Sequence, residues 1–186
     1  MALDTSTPDY FQLSYINFVD QGYVKNDGFS RIGAFDRDDG IGYVDELLFR
    51  PEEGTINGTI NSVEIDFDIT NTLLSTAQTE VHLRVQDQGT WTDTPTTEPV
   101  FITFLNEAWP TSLGFIGGID DDSTGVHTIL STAAMVQYFQ DLIDGLEPND
   151  GMVLTMNTSF FDFRMRIANI EVRVDFTPSA LTYVLL

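Results

Sequence analysis

The stretch "INSVEIDFDIT", Ile60 to Thr70, decides the fold class. Val63, Ile65, Phe67 and Ile69 fall on one side of an extended chain, with Glu64, Asp66 and Asp68 on the other. A strand in a parallel sheet lies between layers of helix and reads apolar on both sides. One wet face and one dry face is the pattern of an antiparallel sheet. "TEVHLRVQD", Thr79 to Asp87, repeats it, with Val81, Leu83 and Val85 set against His82, Arg84 and Gln86.

Upstream, short strands are expected around Phe11–Phe18, Ser30–Phe35 and Val44–Phe49, separated by the turn-forming runs Asn26-Asp27-Gly28 and Asp38-Asp39-Gly40. Downstream, "GTWTDTPTTEPV" (Gly89–Val100) reads as a loop and "VFITFL" (Val100–Leu105) as a strand. "WPTSLGFIGGIDDDSTGVHTILS" (Trp109–Ser131) reads as loop again. The period then changes. Met135, Val136, Phe139, Leu142 and Ile143 step by three and four, predicting one short helix over about 132–144, with Ser131 as its N-cap and Gly145 ending it.

"EPNDG" turns the chain into a strand, "MVLTMN". In "FDFRMRIANIEVRVDFTP", Phe163, Met165 and Ile167 share one parity and Ile170, Val172, Val174 and Phe176 the other. A bulge or tight turn is therefore expected at Ala168-Asn169. Many short strands at turn spacing with one helix predict an all-β, antiparallel, jelly-roll-like β-sandwich, one domain over residues 1–186. The N-terminal segment and the uncharged ending "SALTYVLL" (179–186) are candidate arms. Leu181, Tyr183, Val184, Leu185 and Leu186 are candidate contacts to a neighbouring subunit.

Composition narrows the function. The chain has 8 Lys and Arg against 29 Asp and Glu, a net charge of −21, and Lys25 is its only lysine. Such a surface cannot neutralise a row of phosphates, which argues against nucleic acid and anionic membranes as partners. It suits a salty or cation-rich medium, where self-repulsion is screened. With no cysteine, disulfides and thiolate metal sites are excluded. The opening "MALDTSTPDYF" lacks a basic n-region and an apolar run, so no signal peptide is expected and the chain reads as a complete product. No segment approaches the ~20 apolar residues of a transmembrane helix.

Catalytic patterns are missing. His82 lies on the polar face of a predicted strand and His127 in loop-like sequence. No nucleophile elbow or phosphate-cradling glycine loop occurs, so no enzymatic activity is expected. Calcium is the most defensible cofactor, because hard cations take clustered carboxylates and turn carbonyls. "FDRDDG", with Asp36, Asp38 and Asp39, and "IDDDSTG", with Asp120, Asp121 and Asp122, supply such clusters. Trp91 and Trp109 flank the Val100–Leu105 strand, where exposed rings would stack on sugars and buried ones would plug the end of a sandwich.

The order of features resembles the DNRLRE-type β-sandwich modules over about residues 60–176. In that family a Trp-containing loop, here "VHLRVQDQGTWTDTP", precedes a passage matched by Val136, Gln137, Phe139, Gly145, Asn149, Gly151 and Leu154. Thr96-Thr97 stand near where a second Trp is expected. The resemblance implies a jelly-roll that binds polysaccharide or spaces the parts of a large extracellular or virion surface assembly. Two functions follow as expectations. One is a virion structural protein, a capsid decoration or fibre-associated subunit on the virion surface, touching other copies of itself and the capsid. The other is a carbohydrate-binding module recognising polysaccharide.

Overall fold

The computed structural model describes residues 2–16, 22–25, 30–36, 42–51, 56–73, 78–86, 112–156 and 163–179. In chain order the strands are β1 (Ala2–Ser6), β2 (Tyr10–Ile16), β3 (Gly22–Lys25), β4 (Arg31–Asp36), β5 (Gly42–Phe49), β6 (Gly58–Leu73), β7 (Thr79–Val85), β8 (Ser112–Ile119) and β9 (Gly125–Ile129). Helix α1 (Ala133–Ile143), β10 (Met152–Met156) and β11 (Phe163–Pro178) complete the set.

The alternation read in Ile60–Thr70 is what β6 uses. Val63, Ile65, Phe67 and Ile69 are at most 1 % exposed, while the intervening acids face outward. Val172 and Val174 of β11 and Val81 and Leu83 of β7 are buried in the same way. These rows, with Leu47, Phe49, Met152 and Leu154, form one core between two sheets. Every strand pairing is antiparallel.

Sheet I runs β3-β2-β5-β10-β7-β8, and sheet II runs β1-β11-β6-β9. Between them, β4 pairs with β5 through Gly33–Asp36 and with β11 through Arg31–Ala34, fastening the two sheets along one side. With β2 to β4 taken as an insertion, β1-β11-β6-β9 faces β5-β10-β7-β8. That is the strand order of a jelly roll. The expected fold class is therefore what the chain adopts.

β6 and β11 form the longest ribbon, 16 residues each. The parity change in β11 is a bulge: the register shifts between Ala168 and Glu171, and Asn169 takes a left-handed φ of 49°. The strand continues through it unbroken. The N-terminal segment is not free along residues 2–6, which pair as β1 with β11 of the same chain. Residues 180–186, and with them Leu181, Tyr183, Val184, Leu185 and Leu186, lie outside the described residues, as does the expected Val100–Leu105 strand.

α1 closes the sandwich where β9 stops. β9 pairs with residues 65–69 of β6, leaving the start of β6 without a strand neighbour on that edge among the described residues. The Ile60 N–H donates to Gln140 Oε1 (2.9 Å), Gln140 Nε2 donates to the Gly58 carbonyl, and the Val63 N–H donates to Ser131 Oγ (3.0 Å). Ser131 is thus an edge partner for β6, and the N-cap is Thr132, whose Oγ1 accepts from the Met135 N–H. At the other end, Gly145 N–H to Leu142 O and Leu146 N–H to Asp141 O make a Schellman motif around Gly145, at φ 70°. Met135, Tyr138 and Phe139 are the buried side of the helix.

The Trp109–Ser131 stretch departs from expectation. Over its described part it holds two strands, β8 and β9, rather than a loop. Its glycines erased the alternation that marks a strand. Gly114 is small because the chain packs closely over it: a Cβ there would lie 3.0 Å from Ile129 Cγ2 and 3.3 Å from Thr132 Cγ2.

Candidate interaction surface

A jelly roll leaves open strand edges, and an open edge is a template for pairing unless something blunts it. Among the described residues β1, β3, β8 and β9 have a strand neighbour on one side only. β1 carries Asp4, and β3 carries Lys25, the one lysine of the chain. β8, "SLGFIGGI", and β9, "GVHTI", carry no charged residue.

The neutrality extends further. Residues 112–119 and 123–140 contain no Asp, Glu, Lys or Arg, in a chain where 20% of residues are charged. β8 and β9 follow one another across the same side of the sandwich and touch. Together they form a neutral margin. Phe115 is 57% exposed on the outer face of sheet I, stacked on His82 at 5.3 Å between ring centroids. Val126, 70% exposed, lies opposite Asp68 on the outer face of sheet II, and Leu130, 66% exposed, follows β9. Three large apolar side chains thus stand in water along two unguarded edges.

The faces beside this margin differ sharply. On sheet II, Glu64, Asp66, Asp68, Glu171 and Asp175 share the outer surface with Arg173. The Arg173 guanidinium lies 2.9 Å from Glu64 and 2.8 Å from Asp66, and Thr128 Oγ1 donates to Asp66 as well. Hydrogen bonding to Asp66 raises the Arg173 pKa, so this base stays charged as a clamp within the acidic ladder.

Asp120, Asp121 and Asp122 form the turn joining β8 to β9, at one end of the margin. The turn is closed by its own bonds. Asp120 Oδ1 accepts from Ser123 Oγ (2.8 Å) and the Asp122 N–H (3.2 Å), and Asp121 O accepts from Thr72 Oγ1. The Ser123 hydroxyl, then the Asp122 amide, hold the Asp120 carboxyl below its ordinary value. Among the described residues no group of three or more His, Cys, Asp or Glu side chains converges as metal ligands would. Asp36 ends β4, in a different region of the sheets, and Asp38 and Asp39 lie outside the described residues. Trp91 and Trp109 lie outside them too.

Among the described residues neither histidine is arranged with a nucleophile. His82 Nε2 donates to Glu80 (2.9 Å), and His127, in β9 rather than a loop, donates from Nε2 to the Ser123 carbonyl (3.0 Å) and stacks on Phe67. Among the described residues no helix is long and apolar enough to cross a membrane. Phe115, Val126 and Leu130 were not singled out by their own local pattern. The signal that could have found them is the absence of charge on either side of the acidic triplet. Compared with known proteins, the chain matches no family model and no curated relative.

Proposed function

We propose that this protein is a non-enzymatic structural subunit of a larger protein assembly, a capsid decoration or fibre-associated subunit at a virion surface. It docks on a neighbouring subunit through the β8–β9 margin and leaves its acidic faces in solvent. The observation that carries this reading is the contrast between two uncharged, apolar-bearing strand edges and a net charge of −21. On an acidic protein, a neutral strip is where another protein surface can approach without desolvating carboxylates. The jelly-roll order supports the reading only by analogy, since capsid subunits and lectins both use it.

The test pairs particle composition with two substitutions. The protein should be recovered in ordered copies from purified particles by mass spectrometry. Phe115→Asp and Val126→Lys, both at exposed positions, should abolish that recovery while leaving the melting temperature nearly unchanged. A wild-type protein that is monomeric by light scattering and absent from the particles would refute the reading.

A second reading has one observation in its favour. The open face of Phe115, backed by His82 with Glu80 alongside, has the form of a stacking platform for a sugar ring. Retention on insoluble polysaccharide, lost in Phe115→Ala, would favour a carbohydrate-binding module over a subunit.

A further inference from the structure

β1 breaks the pattern of the face on which it lies. Residues directly opposite one another on paired strands share a face. Asp4 is opposite Val174 and Ser6 opposite Val172, and both valines are buried in the core. Packing alone would put apolar side chains at residues 4 and 6. The sequence supplies a carboxylate and a hydroxyl instead.

These two side chains border a cleft of about 430 Å³ at the β1 margin of sheet II, the opposite margin from β9. Its apolar walls include Ile56, Leu142, Ile143, Phe139, Val172 and Val174. Its polar groups are Asp4, Ser6, Glu147 and Asn149, the last held in place by donating from Nδ2 to the Pro51 carbonyl (2.9 Å). Among the described residues no Lys, Arg or His lines it, and neither Asp4 nor Glu147 is ion-paired with one of them. The size falls within the range of small-molecule sites, roughly 300–1,000 Å³.

We propose that this cleft is a binding site for a primary alkylammonium group, an apolar stem ending in a cation. The stem lies against Leu142, Ile143 and Ile56, and the ammonium meets Asp4, with Glu147 adding negative potential. The alternatives fail on charge. An anion would face two carboxylates on a protein already at −21. A neutral apolar ligand would strip water from Asp4 and return no hydrogen bond. The assignment does not depend on the assembly role, since it uses neither β8 nor β9.

The competing explanation is that Asp4 is an inward charge that keeps the β1 edge from pairing. Titrating hexylammonium into the full-length ¹⁵N-labelled protein, with hexanol and hexanoate as matched probes, separates the two. Saturable shifts should centre on the amides of Ser6, Leu142, Ile143 and Glu147, with hexanol about tenfold weaker and hexanoate not binding. Asp4→Asn should weaken hexylammonium about tenfold, and Glu147→Gln, an exposed change that spares folding, roughly threefold. A blocked lysine tested alongside separates two sources of the same chemistry. Tighter binding than hexylammonium assigns the cleft to a partner's lysine side chain, weaker binding to a free amine, and both support a cation site. Equal binding of hexanol, full affinity in Asp4→Asn, or no saturation with hexylammonium overturns the proposal and leaves Asp4 as an edge guard.

Discussion

A methyl group on Gly58 would sit 2.1 Å from the Thr177 carbonyl oxygen and 2.9 Å from Pro178 Cα. Both are backbone atoms of the partner strand, so neither can swing aside, and the last pairs of the β6–β11 ribbon would have to part. Gly58→Ala is expected to destabilise the fold by roughly 1–3 kcal/mol, read as a lowered urea midpoint. The sequence hid this constraint, because close approach of two backbones has no one-residue signature. Asp120 gives a residue-scale prediction with a sign. Its folded pKa is depressed below the ordinary 3.8, so between the two values the folded state holds fewer protons than the unfolded one. Its contribution is present above about pH 4 and disappears as pH falls through the folded value. The gap in melting temperature between wild type and Ser123→Ala should therefore narrow as pH drops from 6 toward 2.5. A constant gap would show that Ser123 acts only through the turn backbone.

At the scale of elements, the helix was legible and its first residue was not. Apolar spacing located α1 to within a residue or two, but Ser131 and Thr132 are both good caps, and only the pairing of β6 separates their roles. Thr132 also donates to the Leu113 carbonyl, so it ties the helix start to β8. Thr132→Ala should cost about 1–2 kcal/mol and lower the helical signal, whereas Ser131→Ala should lower stability and leave that signal intact. Far-UV circular dichroism with urea melts checks both. β6, β7 and β11 were readable because alternation survives where one face is buried and the other wet, whereas β10, with Met152, Val153 and Leu154 all buried, read as a short apolar run after a turn. β8 and β9 were missed because glycine contributes to a ladder without contributing to a pattern, and β1 was missed because its inward residues are polar. The bulge at Asn169 was visible as a change of parity.

Across the whole molecule, charge is the term that experiment can vary most directly. With a net charge of −21, self-repulsion opposes the compact state, and at 0.1 M salt the screening length is about 10 Å. Raising sodium chloride from low to molar concentration should raise the melting temperature steadily, by differential scanning calorimetry. A flat response would mean that local pairs such as Arg173 with Glu64 and Asp66 already absorb the repulsion. The candidate surface was only half legible for the same reason. Charge counts showed that the protein is acidic, but where it is neutral matters only once β8 and β9 are known to be edges. The order of the strands has one more consequence, for synthesis. β11 lies between β1 and β6, although β1 is made long before it. Sheet II therefore cannot close until β11 has left the ribosome. Until then β1 and the apolar face of β6 must wait without their shared neighbour, so this sheet depends on pairing between segments far apart in the chain.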